Sequence, residues 1–228
     1  MAYKKRLGIF VKVPEPGRVK TRLTPPLTGE EACRLYTAFI TDLFGRLSRI
    51  KKLSGTVFYH GDDPDNLTNF IPTRYATLPQ RGQTLGDRLA AAFDDLLAGG
   101  GETAVIIGSD SPDLPVQYIK RAFLKLKHKD VVLGPAADGG YYLVGLKKPA
   151  PAIFEDIEWG GPLVLSRTVE RVESQGLTLS LLPLWYDVDT PASLQLLRDL
   201  IRARKVERSG RLLATEAVLE AISRDDDA

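Results

Sequence analysis

Two short acidic segments carry the residues best suited to binding a hard cation, which prefers oxygen ligands. They are Gly108-Ser109-Asp110-Ser111-Pro112-Asp113 and Asp187-Val188-Asp189-Thr190-Pro191. Asp110 and Asp113, at i and i+3 across a proline turn, could approach one cation. Asp113 could equally cap the helix expected to open near Pro115. Alternation along an extended segment places Asp187 and Asp189 on one face. Asp189 is the expected partner of Asp110 at a metal, the competing reading being that Asp189 or Thr190 caps the next helix.

A basic loop precedes both. Lys12, Arg18, Lys20 and Arg22 fall within the stretch KVPEPGRVKTR, where Gly17 would let a backbone amide approach a ligand closely. Backbone N–H groups with Lys or Arg are what a phosphate site needs. The G-x-x-x-x-G-K-[ST] spacing is absent, so this is not a Walker A loop. The alternative is a solvated basic loop. In QRGQTLGDR, Gln80 or Gln83 could read a base edge, Gly86 lies at the start of a helix, and Arg88 could meet a phosphate. Asp138-Gly139-Gly140-Tyr141 either leaves room for a substrate against the backbone or forms a plain β-turn. Asp138 is the best candidate for a catalytic base. His60 and His128 show no ligand spacing. Trp159, before Gly160-Gly161, is read as packing, with a loop over the site as the alternative. Cys33 is read as a small packing residue.

The elements that must hold these clusters alternate strand and helix. Leu7–Val13, Gly55–His60, Tyr75–Leu78, Ala104–Gly108, Val131–Gly134, Tyr141–Leu146 and Leu177–Leu182 read as strands. The run AVIIG is apolar throughout, as in a sheet buried on both faces. Thr28-Gly29-Glu30-Glu31 forms a capping box, followed by the stripe Ala32, Leu35, Phe39, Leu43, Leu47. Thr84 opens a helix that buries Leu89, Phe93, Leu96 and Leu97. Further helices are expected after Pro115, over Leu163–Ser174, and after Pro191 with Leu194, Leu197 and Leu200 inward. A last amphipathic stretch holds Leu212, Leu213, Val218, Leu219 and Ile222, before the acidic run Asp225 to Asp227. Alternation implies a mostly parallel sheet between helical layers. Only a turn separates Val131–Gly134 from Tyr141–Leu146, so one strand should be antiparallel. Every polar cluster follows a strand, where ligands of open α/β sheets bind.

Composition narrows the partners. The 228 residues carry a formal charge of +2, which gives no reason to expect nucleic acid or a membrane surface. One cysteine permits no intrachain disulfide, which fits a reducing compartment, the cytoplasm by default. The apolar run after Met1–Arg6 is too short for a signal segment or a membrane span. No linker is visible, so residues 1–228 are expected to form one domain.

Taken in order, FVKVPEPGRVKTRL, QRGQTLGDRL, IGSDSPDL, VLGPAADGGYYLVGL and DVDTP resemble a bacterial glycosyltransferase-like family of the radical-SAM/selenodomain-associated type. It lies within the nucleotide-diphospho-sugar transferase (GT-A) superfamily. The chain is similar also to the phospholactate guanylyltransferase and molybdenum-cofactor nucleotidyltransferase branches. The resemblance implies a three-layer α/β sandwich with a mixed, mostly parallel sheet. Residues 205–228, outside the matching stretches, would be a helical extension. By position, Lys20 and Arg22 match the phosphate loop, Asp110 and Asp189 the metal side, and Asp138 to Tyr141 the acceptor side. Lys12, Gly17, Gln80, Gly86 and Arg88 would complete the nucleotide site. Pro14 and Pro16 replace the multiple glycines of the nucleotidyltransferase loop. The implied activity is transfer from a nucleotide-activated donor to a small-molecule acceptor, with Mg2+ or Mn2+. Glycosyl transfer from a nucleotide sugar leads, nucleotidyl transfer from a nucleoside triphosphate is the alternative, and an inactive nucleotide-binding protein is the reading from another class.

Overall fold

The computed structural model describes residues 5–50, 53–98, 102–207 and 210–225. Met1–Lys4, residues 208–209 of the expected extension, and Asp226 and Asp227 of the acidic run lie outside the described residues.

Among the described residues seven strands form one sheet: β1 (Lys5–Lys12), β2 (Ser54–His60), β3 (Ala76–Pro79), β4 (Thr103–Ile107), β5 (Val131–Pro135), β6 (Tyr141–Leu146) and β7 (Leu179–Leu181). Their order is β3-β2-β1-β4-β6-β5-β7. β6 runs antiparallel to both its neighbours, and the remaining pairings are parallel. The expected antiparallel strand is therefore β6, set between β4 and β5.

The helices are α1 (Gly29–Leu47), the single turn α2 (Asp65–Thr68), α3 (Leu85–Ala98), α4 (Val116–Lys125), α5 (Val164–Ser174), α6 (Pro191–Glu207) and α7 (Leu213–Asp225). Alternate residues of the strands feed two cores. Leu7, Ile9, Val11, Val105 and Ile107 pack with Leu35 and Phe39 of α1, Phe123 of α4, Leu197 of α6 and Ile222 of α7. Ala104, Ile106 and Leu133 pack on the other face with Leu89 and Phe93 of α3 and Val172 of α5. β4 is buried at all five positions. Burying each of Val105, Ile106 and Ile107 stabilises the fold by about 1.5–3 kcal/mol. Gly8 of β1 lets α3 approach: a Cβ there would lie 2.9 Å from Ile106 and 3.1 Å from Leu96.

Local signals account for much of this. Thr28 caps α1 and Glu31 returns the bond, completing the capping box. Pro115 is the N-cap residue of α4, which begins at Val116 as expected. Leu97 and Leu200, expected inside, are half-buried. Leu213 is 63% exposed, because Leu212, Leu219 and Ile222 already fill the contact of α7 with the core. Among the described residues no helix is long and apolar enough to cross a membrane.

Candidate active site

The chain runs from β1 through α1 to β2 on one side, then returns through α3 to β4 on the other. This is a reversal of strand order, the place where open α/β sheets bind ligands. Because β6 is antiparallel, its first residue Tyr141 arrives at the edge where β1 and β4 end. A cavity of about 400 Å3 opens there. It is lined by Arg22, His60, Asp110, Asp138, Asp187 and Asp189, with Lys12, Gln80, Arg88 and Tyr141 completing the polar wall. A larger surface cleft of about 610 Å3 beside α5 contains no strand residue. Its arginines, Arg167 and Arg171, are paired with Glu170 and Asp156.

Asp110 follows β4, and Asp189 precedes α6. A backbone bond from the Val188 N–H to the Asp110 carbonyl, 2.9 Å, ties their segments together. Beneath the two carboxylates lies Lys20. Its Nζ donates to Asp110 Oδ1 at 2.5 Å and to Asp189 Oδ1 at 2.7 Å. The Lys20 side chain is 2% exposed, whereas those of Asp110 and Asp189 are 42% and 39% exposed. The ammonium also lies 5.6 Å from the ring centres of Tyr36 and Phe39. Burial alone would depress its pKa, but the two carboxylates outweigh burial and hold it above the ordinary lysine range. Lys20 sits in the left-handed region, φ 50°, a conformation that costs a lysine on the order of 1 kcal/mol and persists where the surroundings over-determine it. Lys20, expected at the phosphate loop, is paired with Asp110 and Asp189 and does not line the cavity.

Gly17 and Gly86, expected at the nucleotide site, lie outside the cavity lining. Gly17 adopts φ +75° in the loop and does not line the cavity. Gly86 is buried in packing, where a Cβ would meet the Phe154 carbonyl at 2.6 Å and the Trp159 indole at 3.0 Å. Trp159 packs edge-on against Tyr141, and its neighbour Gly160 lines the cavity. Gln80 reaches the cavity while its amide donates to the Phe58 carbonyl. The Arg88 Nε donates to the Gly82 carbonyl. Among the described residues, no carboxylate is paired with Lys12, Arg22 or Arg88 at the cavity, whereas Arg18 of the same basic loop is neutralised by Glu15 and Asp62.

The Asp138-Gly139-Gly140 segment is a turn, and of its three residues Asp138 lines the cavity. The Ala136 N–H donates to the Gly140 carbonyl, and Asp138 Oδ1 accepts from the Gly140 N–H at 2.9 Å. Gly139 has φ +92°, and a Cβ there would lie 2.1 Å from the Pro162 carbonyl oxygen. Asp138 remains exposed.

Asp113 neither joins Asp110 at a cation nor caps α4. It is fully buried and accepts from Arg204 Nη2 at 2.7 Å, Tyr186 Oη at 2.8 Å and Trp185 Nε1 at 3.3 Å. It thereby anchors the Asp110 loop to α6. The start of α6 is capped by Thr190, whose Oγ1 accepts from the Ser193 N–H, while Ser193 Oγ accepts from the N–H groups of Asp189 and Thr190.

Tyr36 and His60 take places at the site that spacing alone does not single out, and Asp187, read from the sequence only as sharing a face with Asp189, has a role of its own. Tyr36 Oη accepts from the Lys12 N–H at 3.0 Å and is 2.6 Å from Ser109 Oγ, so it fixes the ends of β1 and β4 to each other. Burial pushes the Tyr36 hydroxyl pKa far up, so it stays protonated. Asp187 accepts from Ser111 Oγ, and burial together with Asp110 pushes its carboxyl up to about 7. His60 ends β2 at the cavity; partial burial with the charges of Arg88 and Lys12 holds it below the ordinary histidine range. Its place at a strand end was the available signal.

The acidic pair fits a divalent cation on the chemistry of its donors. Two half-exposed carboxylates already hold one cation, the Lys20 ammonium, from the buried side. Among the described residues no group of three or more His, Cys, Asp or Glu surrounds a common point. Mg2+ is commonly held by one or two carboxylates with phosphates and water completing the shell.

The comparisons with known proteins agree with this architecture. A family model described as "Uncharacterized protein conserved in bacteria (DUF2064)" matches residues 44–161. A protein of Desulfovibrio desulfuricans G20, named as a presumed nucleotide-diphospho-sugar transferase, is 34% identical over 96% of this chain and 95% of its own, with a TM-score of 0.85. The chain belongs to the DUF2064 family. Two more distant structures share the fold. A 4-diphosphocytidyl-2C-methyl-D-erythritol synthase from Anaerococcus prevotii DSM 20548 is 10% identical over 87% of this chain and 96% of its own, TM-score 0.59. A CMP:2-keto-3-deoxy-manno-octonic acid synthetase complexed with CTP is 12% identical over 88% and 99%, TM-score 0.56. No curated protein matches the chain. The DUF2064 chain thus has the α/β fold of the nucleotide-diphospho-sugar transferases, with a mixed, mostly parallel sheet.

Proposed function

We propose that the chain is a nucleotide-dependent transferase whose donor phosphates lie between the cations Lys12, Arg22 and Arg88 and the acidic pair Asp110 and Asp189. The donor supported best is a nucleoside triphosphate, making the reaction nucleotidyl transfer. The observation that carries this is that Lys12, Arg22 and Arg88 line the cavity with no carboxylate partner among the described residues, with Lys20 already committed to the aspartates. A triphosphate is the more highly charged donor and is matched by arginine forks and a lysine point charge. Mg2+ or Mn2+, held by Asp110 and Asp189, would stabilise negative charge on the donor phosphates. Asp138, exposed at the cavity, takes the proton of the acceptor hydroxyl. The acceptor oxygen bonds to the α-phosphorus as the bond to the bridging oxygen breaks, and pyrophosphate leaves. Gly139, Gly140 and Tyr141 form the acceptor side, and Gln80 lies within reach of the base.

A second reading, glycosyl transfer from a nucleotide sugar, is favoured by the name of the 34%-identical Desulfovibrio relative. Residues 1–228 are taken as one domain, with 205–228 its helical extension, since Leu212, Leu219 and Ile222 share the core of α1. A thermal-shift panel of nucleoside triphosphates and nucleotide sugars with Mg2+ separates the readings. Ligand at 100 times its Kd stabilises by about 2.7 kcal/mol, roughly 5–10 °C for a chain of this size. A shift from triphosphates that Asp110→Asn and Arg22→Ala remove supports nucleotidyl transfer. A shift from nucleotide sugars alone sinks it in favour of glycosyl transfer, and no shift from either sinks both.

A further inference from the structure

The arrangement of Lys20 has a consequence for how the acidic pair takes a cation. The inference rests on the reading of Asp110 and Asp189 given above. We propose that Lys20 is a positioning residue that holds the two carboxylates together and cancels half their charge, so that they accept a divalent cation tightly only when nucleotide phosphates come with it.

The ammonium contacts one oxygen of each carboxylate from below, and those carboxylates stay about two-fifths exposed at the cavity. Two carboxylates and one ammonium leave a single net negative charge. Lys20 cannot readily leave. Its side chain is enclosed at 2% exposure, flanked by the rings of Tyr36 and Phe39, on a backbone fixed in the left-handed region. Moving it out would leave two carboxylates unpaired beside the half-buried Asp187. A divalent cation arriving alone meets a weak, singly charged pair. One arriving with a polyphosphate brings its own anionic oxygens, and the polyphosphate in turn meets Lys12, Arg22 and Arg88. Metal and nucleotide are thus coupled through the charge of Lys20, and by linkage each raises the other's affinity by the same factor.

The test measures Mn2+ binding to the nucleotide-free protein by electron paramagnetic resonance, for wild type and Lys20→Met. In parallel, thermal shifts are read with Mn2+ alone, with each of the four ribonucleoside triphosphates alone, and with both. Wild type is expected to bind free Mn2+ with a Kd of about 1 mM or weaker, on the order of −4 kcal/mol, and to shift only with Mn2+ and a triphosphate together. Lys20→Met is expected to bind free Mn2+ at least tenfold tighter and to lose the coupling. A residue that served packing alone would not tighten metal binding when removed. Micromolar binding of free Mn2+ by wild type overturns the proposal, as does a folded Lys20→Met with unchanged or weaker Mn2+ affinity. If Lys20→Met does not fold, the wild-type measurements decide by themselves. Weak free Mn2+ binding by wild type, tightened in Lys20→Met, with no triphosphate shift at all, strikes the proposed function and leaves the charge role of Lys20 standing.

Discussion

Replacing Arg204 by methionine isolates the energetic weight of the anchor behind the site. Asp113 is fully buried and Arg204 is 18% exposed, with 2.7 Å between Oδ2 and Nη2. Methionine keeps much of the stem volume and removes the charge. Asp113 then retains only the neutral donors Tyr186 Oη and Trp185 Nε1. Removing one partner of a buried ion pair costs about 3–5 kcal/mol, because the other charge is left uncompensated. The nearby Arg46 guanidinium, itself half-buried and attracted to Asp113, offsets part of this and places the expected loss near 3 kcal/mol. In melting temperature that is roughly 6–12 °C for a chain of this length. Urea unfolding at pH 7 reads it directly, provided the m-value is unchanged. Asp113→Asn combined with Arg204→Met removes both charges and is expected to recover more than about 1 kcal/mol relative to the sum of the single losses. A loss below about 1 kcal/mol for Arg204→Met, or strictly additive single losses, would refute the assignment of Asp113 as an anchored buried charge.

Gly139→Ala is expected to destabilise by about 1–3 kcal/mol, since φ +92° is strained for alanine and its Cβ would overlap the Pro162 carbonyl; circular dichroism melts check this, and a neutral effect would mean the turn is free to move. Glu31→Ala at the capping box is expected to cost about 1 kcal/mol at pH 7. Bonds from Thr28 hold the Glu31 carboxyl below its ordinary range, so its contribution is present above the unfolded pKa and lost as pH falls through the folded value. The gap between wild type and Glu31→Ala should therefore shrink in urea titrations carried below about pH 4; a gap constant with pH would contradict the capping role of the ionised carboxylate.

The sequence makes the strands and the cavity edge legible because apolar runs and caps are local signals. Residues 104–107 of AVIIG fall in β4, a strand buried at every position, while Gly108 lies just past its end, and the box at Thr28 formed as its residues demand. Asp110, Asp138 and Asp189 are legible because each sits just beyond a strand or before a helix, and the fold brings them to one cavity. The partners were not legible. Nothing within the basic loop tells that Lys20 turns inward while Lys12 and Arg22 line the cavity. That choice depends on Tyr36 and Phe39 of α1 and on carboxylates 90 and 169 residues away. Asp113 reads as a cap for the same reason, because Arg204 is 91 residues distant.

The bond between Lys20 and Asp189, spanning 169 residues, also sets the order in which the molecule can be completed during synthesis. β1 and the basic loop precede the aspartates in the chain, so the lysine they carry gains its second carboxylate only after β7 has been made. Domains gain their non-local contacts late, at the entropic cost of closing long loops. A nascent chain ending before Asp189 would hold its strands and still leave Lys20 half-neutralised and the cavity open on that side. The acidic pair with its lysine is thus completed late, and its closure reports that the sheet it spans has been made.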